Sequence, residues 1–242
     1  MLVRHQFGDA KVWIASVEEA LLLPARSGLS ADERARADRF RRPEDRDRSL
    51  AARALLRHVL SCCVSGRIAP DAWRFDIGRF GKPGVAAGLP PIAFNLSHAG
   101  PCIALATNDT HPVGIDLECL DPDPRSAIVW DSLTAGEVMA ISALPDDARW
   151  PAFLRVWTAK EAAAKATGLG AAIAFDDLEV DAGPPPIMTI RSAGRIQCWP
   201  LAQMIYRTVR CAGTRFAMSL ATSQIQDHDQ ALSDMTGLTG FV

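Results

Sequence analysis

The chain has 242 residues, 48% of them hydrophobic and 22% charged, with 26 Lys and Arg against 28 Asp and Glu. That length and apolar fraction suit one large or two small globular domains with a real core. The near balance of charge provides no global field for nucleic acid or an anionic membrane, so a phosphate-bearing partner needs a local basic pocket.

No run approaches the length of a membrane helix, and the first 25 residues lack the continuous apolar stretch of an export signal. Cysteines at 62, 63, 102, 119, 198 and 211 show no metal-ligand or disulfide spacing and read as idle thiols. A reducing cytoplasm is the expected setting.

In chain order, KVWIASV (11–17) alternates as an opening strand. LSADERARADRF (29–40) offers Ser30 as a helix cap with Glu33 three residues on, a capping box. A second helix, about 44–61, repeats Leu56, Val59 and Leu60 at helical spacing and carries Arg48, Arg53 and Arg57 between them. Trp73, Phe75 and Ile77 alternate as a half-buried strand, and GKPG (81–84) is a turn. IAFNLSHAGPCIALAT (92–107) reads as two strands joined near Ala99, Gly100 and Pro101, and HPVGIDLECL (111–120) as the next.

Beyond Asp121 the order partly recurs. TAGEVMAISAL (134–144) opens with a second capping box, and WPAFLRVWTAKEAAAKATGLG (150–170) is an alanine-rich helix ending at Gly168 and Gly170. Strands are expected near 173–180, 187–191, 196–199 and 215–221. The order fits two α+β halves, 1–111 and 112–222, with 223–242 as a flexible tail.

GIDLE (114–118) raises the functional question. In a strand, Val113, Ile115 and Leu117 point one way and Asp116 and Glu118 the other. Two carboxylates on one face either border water or share a positive partner, and a metal needs more oxygen than they supply. On the helix from 150, Phe153, Trp157, Glu161 and Lys165 form one i,i+4 stripe, apolar at its start and charged at its end. Glu161 to Lys165 is also an ordinary surface pair. Three carboxylates without histidine or thiol favour a hard cation such as magnesium, which accepts phosphate oxygens. Arg48, Arg53, Lys82, His98 and Lys165 are the candidates to grip phosphates, although residues 31–48 hold enough acids to be nearly neutral. NLSHAG (95–100) sets Ser97 and His98 at a strand end before a turn. Ser97 beside His98 faces the opposite way, and no G-x-S-x-G marks a hydrolase.

Together, GKP (81–83), FNLSHAG (94–100), GIDLE (114–118) and WTAKEAAAKATGLG (157–170), with FRRPEDRDRSLAARALLR (40–57) upstream, resemble the 4'-phosphopantetheinyl transferases, in their large single-chain pseudodimeric class. The resemblance implies an α+β fold of two similar halves about a pseudo-twofold axis, with coenzyme A between them. It makes Asp116, Glu118 and Glu161 magnesium ligands. It puts Lys165 at the phosphates near the breaking bond, and Ser97 and His98 at the 3'-phosphate and nucleotide, with Lys82 and Arg48 completing the grip. Arg36 is a looser candidate for a phosphate.

The implied reaction is attack by a serine hydroxyl of an acyl or peptidyl carrier protein on the β-phosphate. Asp116, Glu161 and Lys165 are the catalytic set, and either Glu161 or a metal-bound water is the base. The protein is expected to act as a monomer. The alternatives are a magnesium-dependent coenzyme A or nucleotide pyrophosphate hydrolase, and a non-catalytic carrier-binding module.

Overall fold

A computed structural model describes residues 2–78, 81–121, 127–168, 173–181, 183, 185–192 and 195–223. The first sheet has the order β1-β2-β6-β5, from β1 (Val3–Phe7), β2 (Ala10–Ser16), β5 (Ala93–Ala99) and β6 (Cys102–Asn108). The second has the order β7-β11-β10-β9-β8, from β7 (Val113–Cys119), β8 (Leu178–Asp181), β9 (Ile187–Ser192), β10 (Arg195–Cys211) and β11 (Thr214–Ser223). A small ribbon pairs β3 (Phe75–Ile77) with β4 (Pro83–Val85). The helices are α1 (Val17–Leu21), α2 (Ala31–Ala37), α3 (Pro43–Cys63), α4 (Ala135–Ser142) and α5 (Asp146–Thr167). The protein is thus an α+β fold, as its sequence order predicts.

Each half is wound the same way. A first strand (β2 or β7) leads into helices that end in a long one (α3 or α5), and a later antiparallel hairpin (β5–β6 or β10–β11) returns its last strand beside the first. Strand alternation then divides the core. Val12, Ile14, Cys102, Ala104 and Ala106 of the first sheet meet Val113, Ile115, Leu117, Phe216, Met218 and Leu220 of the second. On the far side of the first sheet, Ile103 and Leu105 pack under α3 through Leu55, Leu56, Val59 and Leu60. Alanines 162, 163 and 166 of α5 pack on the far side of the second.

The structure differs from the sequence reading at several points: Pro83 and Gly84, expected within a turn, begin β4, and Phe175–Asp177, expected in a strand, form a 3-10 turn before β8. β1 and α1 were not expected, although Ser16 and Glu19 form a reciprocal capping box at α1. Helix α5 begins four residues before Trp150, with Pro151 inside it near the N-terminus. Strand β10 runs well past Trp199 because the register shifts between Leu201 and Gln203, just beyond Pro200. It therefore pairs with β9 first and β11 afterwards. Ser223, assigned to the tail, is the last residue of β11 and donates its backbone N–H to Pro112, while 224–242 and Gly170 lie outside the described residues.

Candidate active site at the junction of the two halves

The GIDLE strand is an edge of its sheet, with β11 on one side only. An edge leaves alternate backbone N–H groups without a ladder partner. Here β5 supplies side chains in place of backbone: Asn95 Oδ1 accepts the Ile115 N–H at 2.9 Å and Ser97 Oγ accepts the Leu117 N–H at 3.2 Å. The pseudo-equivalent strands β2 and β10 are flanked by β1 and β9, and make much less contact with each other than β5 makes with β7. The added strands occupy the edges that a second seam would need.

Asp116 and Glu118 project to the opposite side from Ile115 and Leu117, toward α5. Gly114, on that same face, lets helix and strand meet backbone to backbone: a Cβ there would stand 2.0 Å from the Ala162 carbonyl oxygen and 2.4 Å from the Ala166 nitrogen. The approach brings the charged end of the α5 stripe over the strand. Asp116 is only 3% exposed, so this carboxylate is not a solvated one. Its Oδ1 accepts from Lys165 Nζ at 2.6 Å and from Ser97 Oγ at 3.0 Å. Lys165 also reaches Glu161 Oε2 at 3.5 Å.

A cavity of about 270 Å³ opens here, lined by Leu96, Ser97, His98, Asp116, Glu118, Trp157, Glu161 and Lys165. Burial and then the neighbouring Asp116 charge push the Glu118 carboxyl up to about 7, against bonding from Trp157 and the Lys165 charge. Burial also raises Glu161, opposed by Lys165. Burial pulls Lys165 down, but Asp116 and Glu161 outweigh it and hold the ammonium above its ordinary value. His98 is held low by desolvation and then by Arg48.

The site is short of positive charge: three carboxylates face one ammonium. Among the described residues Asp116 Oδ2 is buried without a hydrogen-bond partner, and an orphaned carboxylate oxygen is costly unless a cation meets it. The donor set is all oxygen, which suits magnesium. Among the described residues, no three His, Cys, Asp or Glu side chains stand as a ready metal shell. Lys165 lies among the carboxylates instead.

The structure therefore gathers Ser97, His98, Asp116, Glu118, Glu161 and Lys165. Ser97 is 7% exposed and its hydroxyl is engaged with Asp116 and Leu117, so as it stands it orients a carboxylate. Arg48 borders the group, bonding Gly100 O at 3.2 Å and Asp45 at 2.7 Å. Lys82 stands apart, its ammonium turned onto backbone carbonyls. A larger cavity of about 800 Å³ lies among α2, α3 and the β3–β4 ribbon, with Arg36 and Arg53 in its lining beside Asp32, Glu33 and Asp71. The sequence reading gave no role to Asn95, although it stands inside NLSHAG, or to the Trp157 indole as a partner of Glu118.

The model of the 4'-phosphopantetheinyl transferase superfamily matches residues 112–220, and that of the 4'-phosphopantetheinyl transferase N-terminal domain matches 11–110. The 4'-phosphopantetheinyl transferase HetI of a Nostoc species is 34% identical over 190 residues, 77% of this chain and 78% of its own. A 4'-phosphopantetheinyl transferase of Bacillus subtilis is 30% identical over 154 residues, 64% of this chain and 66% of its own. This chain belongs to the 4'-phosphopantetheinyl transferase superfamily, and it is a transferase. Among the described residues no helix is long and apolar enough to cross a membrane.

Proposed function

We propose that the protein moves the 4'-phosphopantetheine group of coenzyme A onto a serine hydroxyl of an acyl or peptidyl carrier protein in the cytoplasm. The observation that carries this reading is the meeting of β7, α5 and β5 in one cavity, which gathers three carboxylates, Lys165 and His98. Both halves of the cleft come from one chain, so a monomer suffices.

Asp116, Glu118 and Glu161 would hold a magnesium ion, with the orphaned Asp116 Oδ2 as the first oxygen to meet it. When bound, the ion supplies a Lewis acid that draws charge from phosphate oxygens. His98 and Arg48 grip the nucleotide end of coenzyme A, and Arg36 and Arg53, in the separate cavity beside α2, are further candidates for its phosphates. The carrier serine Oγ forms a bond to the β-phosphorus, and the bond from that phosphorus to the bridging oxygen breaks. Adenosine 3',5'-bisphosphate leaves.

Glu161 receives the serine proton, directly or by way of a water molecule. Its contact with Lys165 is long, at 3.5 Å, it stands on the helix side of the cavity, and burial raises its affinity for a proton, which suits a base. Lys165, kept charged by Asp116, neutralises the negative charge gathering on the departing α-phosphate.

The test is the intact mass of purified apo carrier proteins after incubation with this protein, coenzyme A and magnesium, with EDTA as control. A gain of one phosphopantetheine group that EDTA prevents is the expected result. Cleavage of coenzyme A without any gain on carrier would turn the reading into hydrolysis.

A further inference from the structure

We infer that Lys82 is a positioning residue for the transfer, holding the last turn of α5 against β7 and thereby fixing Lys165 and Glu161 relative to Asp116. The inference rests on the transferase reading for its kinetic consequence and on geometry for the clasp itself.

Lys82 Nζ donates to the carbonyl oxygens of Val113 at 3.1 Å, of Lys165, and of Ala166 at 3.4 Å. An ammonium has three protons, and each has a backbone acceptor here. Lys165 and Ala166 lie in the final turn of α5, where a cation is favoured by the helix dipole, and the Lys165 carbonyl also accepts the Gly168 N–H of the helix cap at 3.4 Å. Val113 is the first residue of β7 and precedes Gly114, the point where strand and helix touch. The clasp therefore bridges the two elements that carry the carboxylates and Lys165. It arrives from the other half of the chain, on a turn fixed by Gly81 N–H to Gly78 O and Gly78 N–H to Lys82 O, each 2.9 Å, with Gly81 at φ +82°.

Lys82 is not in the lining of the catalytic cavity. Turning its ammonium to a phosphate would take this donor from the Val113 and Ala166 carbonyls, which costs about 1–3 kcal/mol for each group left unsatisfied. Burial of the ammonium also pulls it down to about 8, although the residue as a whole is only half-buried.

The experiment compares Lys82→Met and Lys82→Arg with the unaltered protein by three readouts: coenzyme A binding by calorimetry, turnover on an apo carrier, and amide hydrogen exchange along α5. Lys82→Met is expected to lower kcat roughly 10- to 100-fold, the cost of a displacement near 1 Å. Its coenzyme A Kd should stay within about twofold, the signature of an interaction made only in the transition state. Exchange should quicken at residues 165–167, and Lys82→Arg should recover part of both losses. A Kd that weakens in proportion to turnover, with exchange unchanged, would make Lys82 a ligand contact and overturn the inference, as would unchanged turnover. If Lys82→Met does not fold, Lys82→Arg and Lys82→Gln are read by the same criteria. If the unaltered protein transfers nothing, the transferase reading fails, and the exchange and binding readouts still decide the clasp.

Discussion

The two halves share more than winding. In the first, Arg57 of α3 is 2% exposed and bonds Glu33, the Pro70 carbonyl and the Trp73 carbonyl. In the second, Lys160 of α5 is fully buried and bonds Glu137, the Ser132 carbonyl and the Phe175 carbonyl. Both glutamates are the third residue of a short helix and complete its capping box, with Ser30 and with Thr134. A long helix thus buries one cation on the cap of the helix before it, twice. The chemistry, in contrast, is not duplicated: Asp116, Glu118, Glu161 and Lys165 all belong to the second half. A repeated scaffold tolerates unequal use because the clasp and the site occupy separate positions on the same helix.

That contrast is open to test. Asp116→Ala should abolish magnesium-dependent transfer, by about 10³-fold or more given what one electrostatic group contributes, while the melting temperature stays near that of the unaltered protein; a phosphopantetheine mass assay and a thermal scan decide it. Breaking either of these pairs, by Arg57→Met or Lys160→Met, should instead destabilise the fold by about 1–3 kcal/mol, because the glutamate loses its cation and keeps only its cap N–H, and two backbone carbonyls lose their donor. Removing the partner as well, with Glu33→Leu or Glu137→Leu, should recover part of the loss in denaturant titrations. If one clasp matters and the other does not, the halves are equivalent in shape only. Lys165→Ala should lower kcat about 10²-fold with a smaller change in coenzyme A affinity; loss in affinity alone would make Lys165 a binding group.

The smallest effect concerns Glu118. Its folded carboxyl is raised to about 7 from 4.5 by burial and by Asp116. The native state therefore binds the proton more tightly than the unfolded chain. This contribution is complete below pH 4.5 and lost as pH rises through 7. The full shift corresponds to about 3 kcal/mol, and water reaching the half-buried group reduces that to about 1–2 kcal/mol. In EDTA-treated protein, Glu118→Gln should be more stable than the unaltered chain at pH 8 by that amount and nearly equal at pH 4, as denaturation at the two pH values would show. Added magnesium should narrow the difference at pH 8.

Much of the site was legible because both periods were short-range. A strand repeat of two put Asp116 and Glu118 on one face, and the i,i+4 repeat put Trp157, Glu161 and Lys165 on one stripe. The capping boxes at Ser30 and Thr134 were legible for the same reason. Nothing local told that Glu33 and Glu137 would turn from their caps to buried cations 23 or 24 residues away. Nor did GKP disclose that Lys82 would spend its protons on carbonyls at 113, 165 and 166, since every backbone offers the same acceptor and only the fold selects among them. Pro200 hid the length of β10, because a proline ordinarily ends a strand and the bulge that accommodates it has no sequence signature of its own.

The side chains of Asn95 and Ser97 have a consequence away from catalysis. A sheet edge is a template on which a second molecule can add a strand, and sequences usually defend it with charge, proline or a short strand. Here the free edges of β5 and β7 face one another, and two short polar side chains fill the gap between them. The residues that align the site also withdraw two of the four edges of the main sheets from intermolecular pairing. Solubility and activity in this chain consequently share the same few atoms, and a substitution at Asn95 would be felt in both.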